Sequence, residues 1–276
     1  MRKEGGRGLA MKFNWKNQVC LAVCLLVTMV GRAQSVKSDE RSLWNVWCVG
    51  TNSAFEASEV VEACKGFKTA SPKDPLTTVV FGFEAWHHLK RGNTGAAVKL
   101  FELMLVAREP ATVIQKAGDK MARSWLTRID REQVTRALKE IYVRDIEFPQ
   151  SLEALKELKS AKAVPVTDRW GKPWAYRRAS SIKGMESQRY VLESGQLGAD
   201  SDLKKALKRP YADGLKLRAV RMVSGLTDTV ELKTDNGMSL HRQLGREVNN
   251  GYLVFLGANI IVLSDGNHWS VLPKPR

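Results

Sequence analysis

The stretch Pro165-Val166-Thr167-Asp168-Arg169-Trp170-Gly171-Lys172-Pro173-Trp174-Ala175-Tyr176 decides how the middle of this chain is read. Trp170-Gly171-x-Pro173 is a turn signature, because glycine supplies a permissive backbone and proline fixes φ. The turn feeds an extended segment in which Trp174 and Tyr176 fall on one face. Further on, Tyr190-Val191-Leu192-Glu193-Ser194-Gly195 repeats that alternation as a second short strand and runs into Leu197-Gly198-Ala199-Asp200. Upstream, Phe148-Pro149 opens a short leucine-bearing helix, and Leu152 and Leu155 are the surface against which both strands are expected to pack. The aromatic residues are therefore expected to be structural.

In that order the segment resembles the soluble domain of the major pseudopilin of type II secretion systems. Phe148-Pro149, Leu152, Leu155, Asp168, Trp170, Gly171, Pro173, Trp174, Tyr176 and Gly198-Ala199-Asp200 match the family pattern in sequence. The resemblance implies an α+β domain over about residues 130–208 and a calcium-binding loop after the second strand. Calcium takes six to eight hard oxygens, and Asp200 and Asp202 stand where such ligands belong. The acidic, glycine-rich continuation is replaced by Leu203-Lys204-Lys205-Ala206-Leu207-Lys208, which reads instead as a helix start capped by Asp202. The family's prepilin-peptidase site and polymerising apolar helix are also replaced, here by a separate helical region.

That region, residues 34–129, carries helical periodicity. Val60, Val61, Cys64 and Phe67 share a helical face. Ser71-Pro72-Lys73-Asp74-Pro75 breaks it, and Asp74 caps a helix over Leu76–Leu89. Thr94 is expected to cap the next, and Glu109-Pro110 to open one running through Trp125 and Leu126. A separate short helix is expected over Val134–Tyr142. Helices of this length joined by short breaks suggest stacked hairpins, and GFEAWHHLKRGNTGAAVKLFELML is similar to a tetratricopeptide-type array. Cys48 and Cys64 are spaced so that one disulfide would close a short loop in an oxidising compartment.

Residues 209–276 read as a small all-β barrel or sandwich of five or six strands. The strands are expected over Leu215–Val223, Thr229–Thr234, Gly251–Leu256, Asn259–Leu263 and His268–Leu272, with a tight hairpin at Asp235-Asn236-Gly237. The pattern from Val220 through Gly245–Gly251 and Asn259–Leu263 to Val271-Leu272-Pro273 resembles the periplasmic homology-region domain of the secretin-coupling inner-membrane protein of type II secretion. It is also similar to the type IV pilus lipoprotein that does the same job. That resemblance implies a secretin as partner, with the Asp235–Gly237 hairpin and the strand Tyr252–Phe255 as candidate contacts.

The start of the chain indicates export. Arg2, Lys3, Arg7, Lys12 and Lys16 precede the apolar run Val19–Val30, and Gly31-Arg32-Ala33 presents small residues for cleavage, so the mature chain is expected to begin at Gln34. The run is shorter than the roughly 20 apolar residues a membrane span needs. An uncleaved anchor remains the alternative. The whole chain carries +15, and residues 1–33 hold six basic residues and one acid, which leaves the rest near +10. Such charge suits an acidic partner or an anionic envelope surface. No nucleic-acid motif is present, and membrane contact is expected only by proximity.

Catalytic spacing is absent from the sequence. His87-His88 are adjacent and so face different sides of a helix, unlike an i, i+4 metal pair. His268 lies near Asp265 and Ser264, without a nucleophile elbow. The combined expectation is an α+β multidomain protein: an exported, non-enzymatic accessory of a type II secretion or type IV pilus-like system, meeting a secretin or pseudopilus components. The alternatives are a periplasmic peptide- or envelope-binding protein built on the helical repeats, and a hydrolase dependent on His268 and Asp265.

Overall fold

A computed structural model describes residues 39–51, 56–106, 111–158, 164–179, 186–208, 211, 219–224, 229–234, 237–248 and 251–273. The expected signal peptide (1–33), Glu109-Pro110 and the hairpin tip Asp235-Asn236 lie outside the described residues. The architecture is mixed α+β, with several helices and small antiparallel sheets.

Among the described residues four helices come first: α1 (Glu40–Thr51), α2 (Ala57–Ala70), α3 (Thr77–Lys90) and α4 (Thr94–Met104). Their caps differ in detail from expectation. Asp74 accepts the Leu76 amide at 2.8 Å just before α3. Asn93, not Thr94, caps α4 by accepting the Ala96 amide at 3.3 Å. Helix α5 (Val113–Asp145) is one continuous helix of 33 residues where two had been expected, and it starts with Thr112 and Gln115 in a reciprocal capping box. The two apolar stretches read as separate helices lie on the same rod, because nothing between Leu126 and Val134 breaks a helix.

Helix α5 serves two cores. Its N-terminal half, through Ile114, Met121, Trp125 and Leu126, joins α1–α4 in the largest apolar cluster. Its C-terminal half, through Val134, Leu138 and Ile141, joins Phe148, Leu155, Trp174 and Leu192 in a second. That second cluster is closed by a 3₁₀ turn (Leu152–Glu157) and the antiparallel pair β1 (Ala175–Arg178) and β2 (Tyr190–Glu193), with Tyr176 opposite Leu192. The short helix α6 (Leu203–Lys208) follows.

The C-terminal region forms two sheets of seven strands among the described residues. One has the order β3-β4-β5 (Ala219–Ser224, Thr229–Thr234, Ser239–Gln243). The other has the order β6-β7-β8-β9 (Glu247–Val248, Gly251–Leu256, Ile260–Ser264, Trp269–Pro273). β5 and β6 were not foreseen. Strand β8 is buried along its whole length, and period-2 alternation divides its side chains between two faces. Ile261 and Leu263 meet Val230 and Leu232 of the first sheet. Ile260 and Val262, with Trp269 and Val271 of β9, enter the helical core. The helices and the last sheet thus share one core.

That union has a polar pin. The buried Glu40 carboxylate at the start of α1 accepts the amides of Ala258 at 2.8 Å, Asn259 at 2.5 Å and Ile260 at 3.2 Å. Gly257 makes room for it, since a Cβ there would lie 2.4 Å from Glu40 Oε1.

Candidate functional site

The middle of α5 presents polar residues to the two loops that carry the sequence motif. Asp168 is the centre of the first loop. Its Oδ1 accepts the amides of Trp170 at 3.0 Å and Lys172 at 2.9 Å. Its Oδ2 accepts the Ser194 hydroxyl at 2.7 Å and the Gln196 amide at 3.1 Å. One buried carboxylate therefore closes the Trp170-Gly171 turn and fastens it to the end of β2. Gly171 takes φ +77°, a backbone most side chains avoid.

The remaining motif residues frame this centre. Trp174 is buried and donates its indole N–H to the Pro165 carbonyl at 2.9 Å. The Tyr176 hydroxyl donates to the Pro149 carbonyl at 2.6 Å. Phe148 is buried with its ring centroid 4.6 Å from those of Tyr142 and Tyr190. Pro173 is exposed and pairs across a single bridge with Thr167. Gly198, at φ +54°, bridges Ser194 at the turn into the Asp200 loop. All of these are structural roles.

Helix α5 grips the turn directly. Buried Asp130 accepts the Arg169 guanidinium at 2.5 and 3.0 Å. Hydrogen bonding to Asp130 raises the Arg169 pKa further above its ordinary range, against the opposing effect of burial. Thr127 Oγ1 accepts the Arg169 amide at 3.1 Å, and Arg123 donates to the Arg169 carbonyl at 2.6 Å.

The expected calcium ligands meet cations that belong to the protein. Asp202 caps α6 by accepting the Lys205 amide at 2.8 Å, and its other oxygen lies 3.4 Å from Arg131. The Asp200 carbonyl accepts Arg128 Nε at 2.8 Å, while the Asp200 carboxylate is exposed. Arg131 Nε also donates to the Leu192 carbonyl at 2.9 Å. No group of three His, Cys, Asp or Glu side chains fit to hold a metal exists among the described residues. The donor set does not fit calcium, which needs six to eight oxygens and no cation in their midst.

A cavity of about 50 Å³ lies where this loop meets the last sheet, lined by Trp125, Arg128, Asp202, Lys205, Asn267 and His268 among others. His268 is 6% exposed. Its Nδ1 lies 3.2 Å from Asp265 Oδ2, and its Nε2 is buried without a protein partner. Burial works to raise the Asp265 pKa, but the hydrogen bonds from His268 and from the Asn267 and His268 amides outweigh it and hold the carboxyl below its ordinary value. A carboxylate bound to Nδ1 favours the tautomer whose Nε2 lone pair is available. Trp125 and Tyr211 meet the imidazole edge-on, at 5.9 and 5.2 Å.

Other expected groups stay apart. Cys48 and Cys64 are free thiols, so the expected disulfide is not formed: Cys48 lies on the exposed face of α1 and Cys64 in the core. Burial raises the Cys64 thiol far above its ordinary range, with the nearby Glu84 charge adding to it. His87 packs edge-on against Phe83 and Trp86, while His88 faces Glu84 at 3.9 Å. Strand β7 is bonded on both edges from Gly251 to Leu253, so within the expected contact strand Tyr252 offers its side chain and not its backbone edge. Sequence reasoning missed Thr127, Arg128, Asp130 and Arg131. Their signal was polar residues spaced i, i+3 on what becomes a buried helix face. In comparisons with models of protein families, with curated proteins and with solved structures, this chain matches none.

Proposed function

We propose that this chain is an exported, non-enzymatic accessory of a type II secretion or type IV pilus-like apparatus, released after Ala33 and resident in the periplasm. In this reading the helices form a tetratricopeptide-like scaffold. Residues 130–208 form a pseudopilin-like unit, and the C-terminal strands form a secretin-coupling-like sandwich. Its partners are a secretin or pseudopilus components; nucleic acid is not among them, and the membrane is only a neighbour. The supporting observation is the convergence of Phe148, Pro149, Asp168, Trp174 and Tyr176. These residues match the pseudopilin pattern in order along the chain. In space Phe148, Trp174 and Tyr176 pack in one apolar cluster, the Tyr176 hydroxyl bonds the Pro149 carbonyl, and Asp168 closes the Trp170 turn and ties it to Ser194.

The test is direct binding of the purified exported chain to the major pseudopilin and to the periplasmic domains of the secretin. Saturable binding to either is expected, and Tyr252→Asp should weaken the secretin interaction. Binding to neither would remove this reading. Removing residues 209–276 is no test, because Val254, Ile260, Val262 and Trp269 belong to the helical core.

A second reading, hydrolysis, draws on the Asp265–His268 pair and its cavity. Nε2 would act as general base on a water, since no hydroxyl nucleophile bonds to it among the described residues. Turnover of an ester or peptide panel that His268→Gln abolishes would favour it over the scaffold reading.

A further inference from the structure

We infer that Arg128 and Arg131 are the resident cations of the Ser194–Asp202 loop, so that this loop folds without a divalent ion where the resemblance to the pseudopilin family implies calcium. The inference rests on the likeness of the loop and not on any role in secretion. Both arginines project from one face of α5, one turn apart. Each donates through its Nε: Arg128 to the Asp200 carbonyl of the loop at 2.8 Å, Arg131 to the Leu192 carbonyl of β2, just before the loop, at 2.9 Å. Arg131 adds the Asp202 carboxylate at 3.4 Å. A guanidinium is planar, permanently charged and weakly hydrated, so it can be buried against carbonyls where an ammonium would keep its water.

The surroundings fix Arg128 in this role. It is 3% exposed, and its guanidinium lies 4.9 Å from the centre of the Trp125 ring. Trp125 is itself held by its indole N–H on the Asn267 carbonyl at 2.7 Å. The cation is thus positioned by the last sheet as well as by α5. Other oxygens of the loop are already engaged. Ser194 O accepts Gly198 N, Leu197 O accepts Asp200 N, and Asp202 Oδ1 accepts Lys205 N. Arg131 reaches the Asp202 carboxylate, and Arg128 and Lys205 line the cavity beside Asp200 and Asp202, so a divalent cation entering here would meet fixed positive charges of the protein.

The experiment is thermal melting of the full chain, as the cell exports it, in chelator and in millimolar calcium, with direct calcium titration by calorimetry alongside. The two melts are expected to superimpose and the titration to show no saturable site. A saturable rise in Tm with calcium, lost in Asp200→Asn with Asp202→Asn, would overturn the inference. Arg131→Lys and Arg131→Gln then separate charge from packing. Gln is expected to lower Tm clearly more than Lys, and an equal drop would also overturn it. Partner binding enters none of these readouts, so failure here is distinct from failure of the proposed function.

Discussion

Two buried carboxylates hold two regions of this molecule in opposite ways. Asp168 organises the region around the second apolar cluster, and its four side-chain bonds reach partners two, four, 26 and 28 residues away. Glu40 joins the helices to the last sheet, and its three bonds reach partners 218 to 220 residues away. The first region is tied by a motif that carries its own partners, the second by a contact between segments far apart in sequence. A self-contained motif should fail locally, and a long-range pin should release one layer from another.

Asp168→Ala breaks the comparison hardest. It takes the shared acceptor from the Ser194 hydroxyl and from the Trp170, Lys172 and Gln196 amides, and each buried donor left unsatisfied costs about 1–3 kcal/mol. Chemical denaturation should show that loss. Glu40→Gln should cost about 2 kcal/mol, since a neutral amide keeps only part of the acceptor strength offered to the Ala258, Asn259 and Ile260 amides. Faster hydrogen exchange at those three amides is the matching signature.

The pH response sharpens the contrast, because its main source lies in the helical layer. Burial pushes the His87 imidazole down to about 4; the charges of His88 and Lys90 add to this, and a hydrogen bond with the Gly50 backbone opposes it. Between its ordinary value of 6.5 and about 4, the unfolded chain binds a proton that the folded chain refuses. Stability is therefore full above about pH 6.5 and falls toward pH 4, by on the order of 2 kcal/mol. Asp39 and Asp265, both held below their ordinary 3.8, add losses only below that window. His87→Phe should flatten the profile between pH 6.5 and 4, and a slope that survives the substitution would assign the effect elsewhere.

The smallest effect should be a gain. Ile146, 64% exposed, ends α5 at φ +63° as the one described non-glycine residue with positive φ. A β-branched side chain is strained there, and Ile146→Gly should stabilise by about 1 kcal/mol in the same denaturation measurement.

Legibility followed the same division. The Trp170-Gly171 turn, the β1–β2 pairing and the Asp202 cap could be read because each signal and its partner lie close in sequence. The α3 start at Asp74 and the β7, β8 and β9 strands were likewise local patterns. The long α5 was split in reading because its polar middle, Thr127 to Arg131, looks like a solvent-facing break until two loops are packed onto it. Strand β5 was missed because Ser239–Gln243 is largely polar and alternates only through Leu240 and Arg242. Nothing in the sequence around Glu40 announces Ala258–Ile260, and nothing around Asn267 announces Trp125. The Asp265–His268 pair was legible as two nearby residues, but the cavity beside it depends on Trp125, Arg128 and Lys205 arriving from two other elements.

The most direct test of this account is residue-resolved hydrogen exchange on Asp168→Asn. Protection should be lost at the amides of Trp170, Lys172 and Gln196 and along β1 and β2, while α1–α4 and the amides of Ala258–Ile260 keep theirs. Loss of protection in the helical layer and the last sheet at the same rate would show one undivided cooperative unit, and would contradict the claim that the motif region is a self-contained graft on α5.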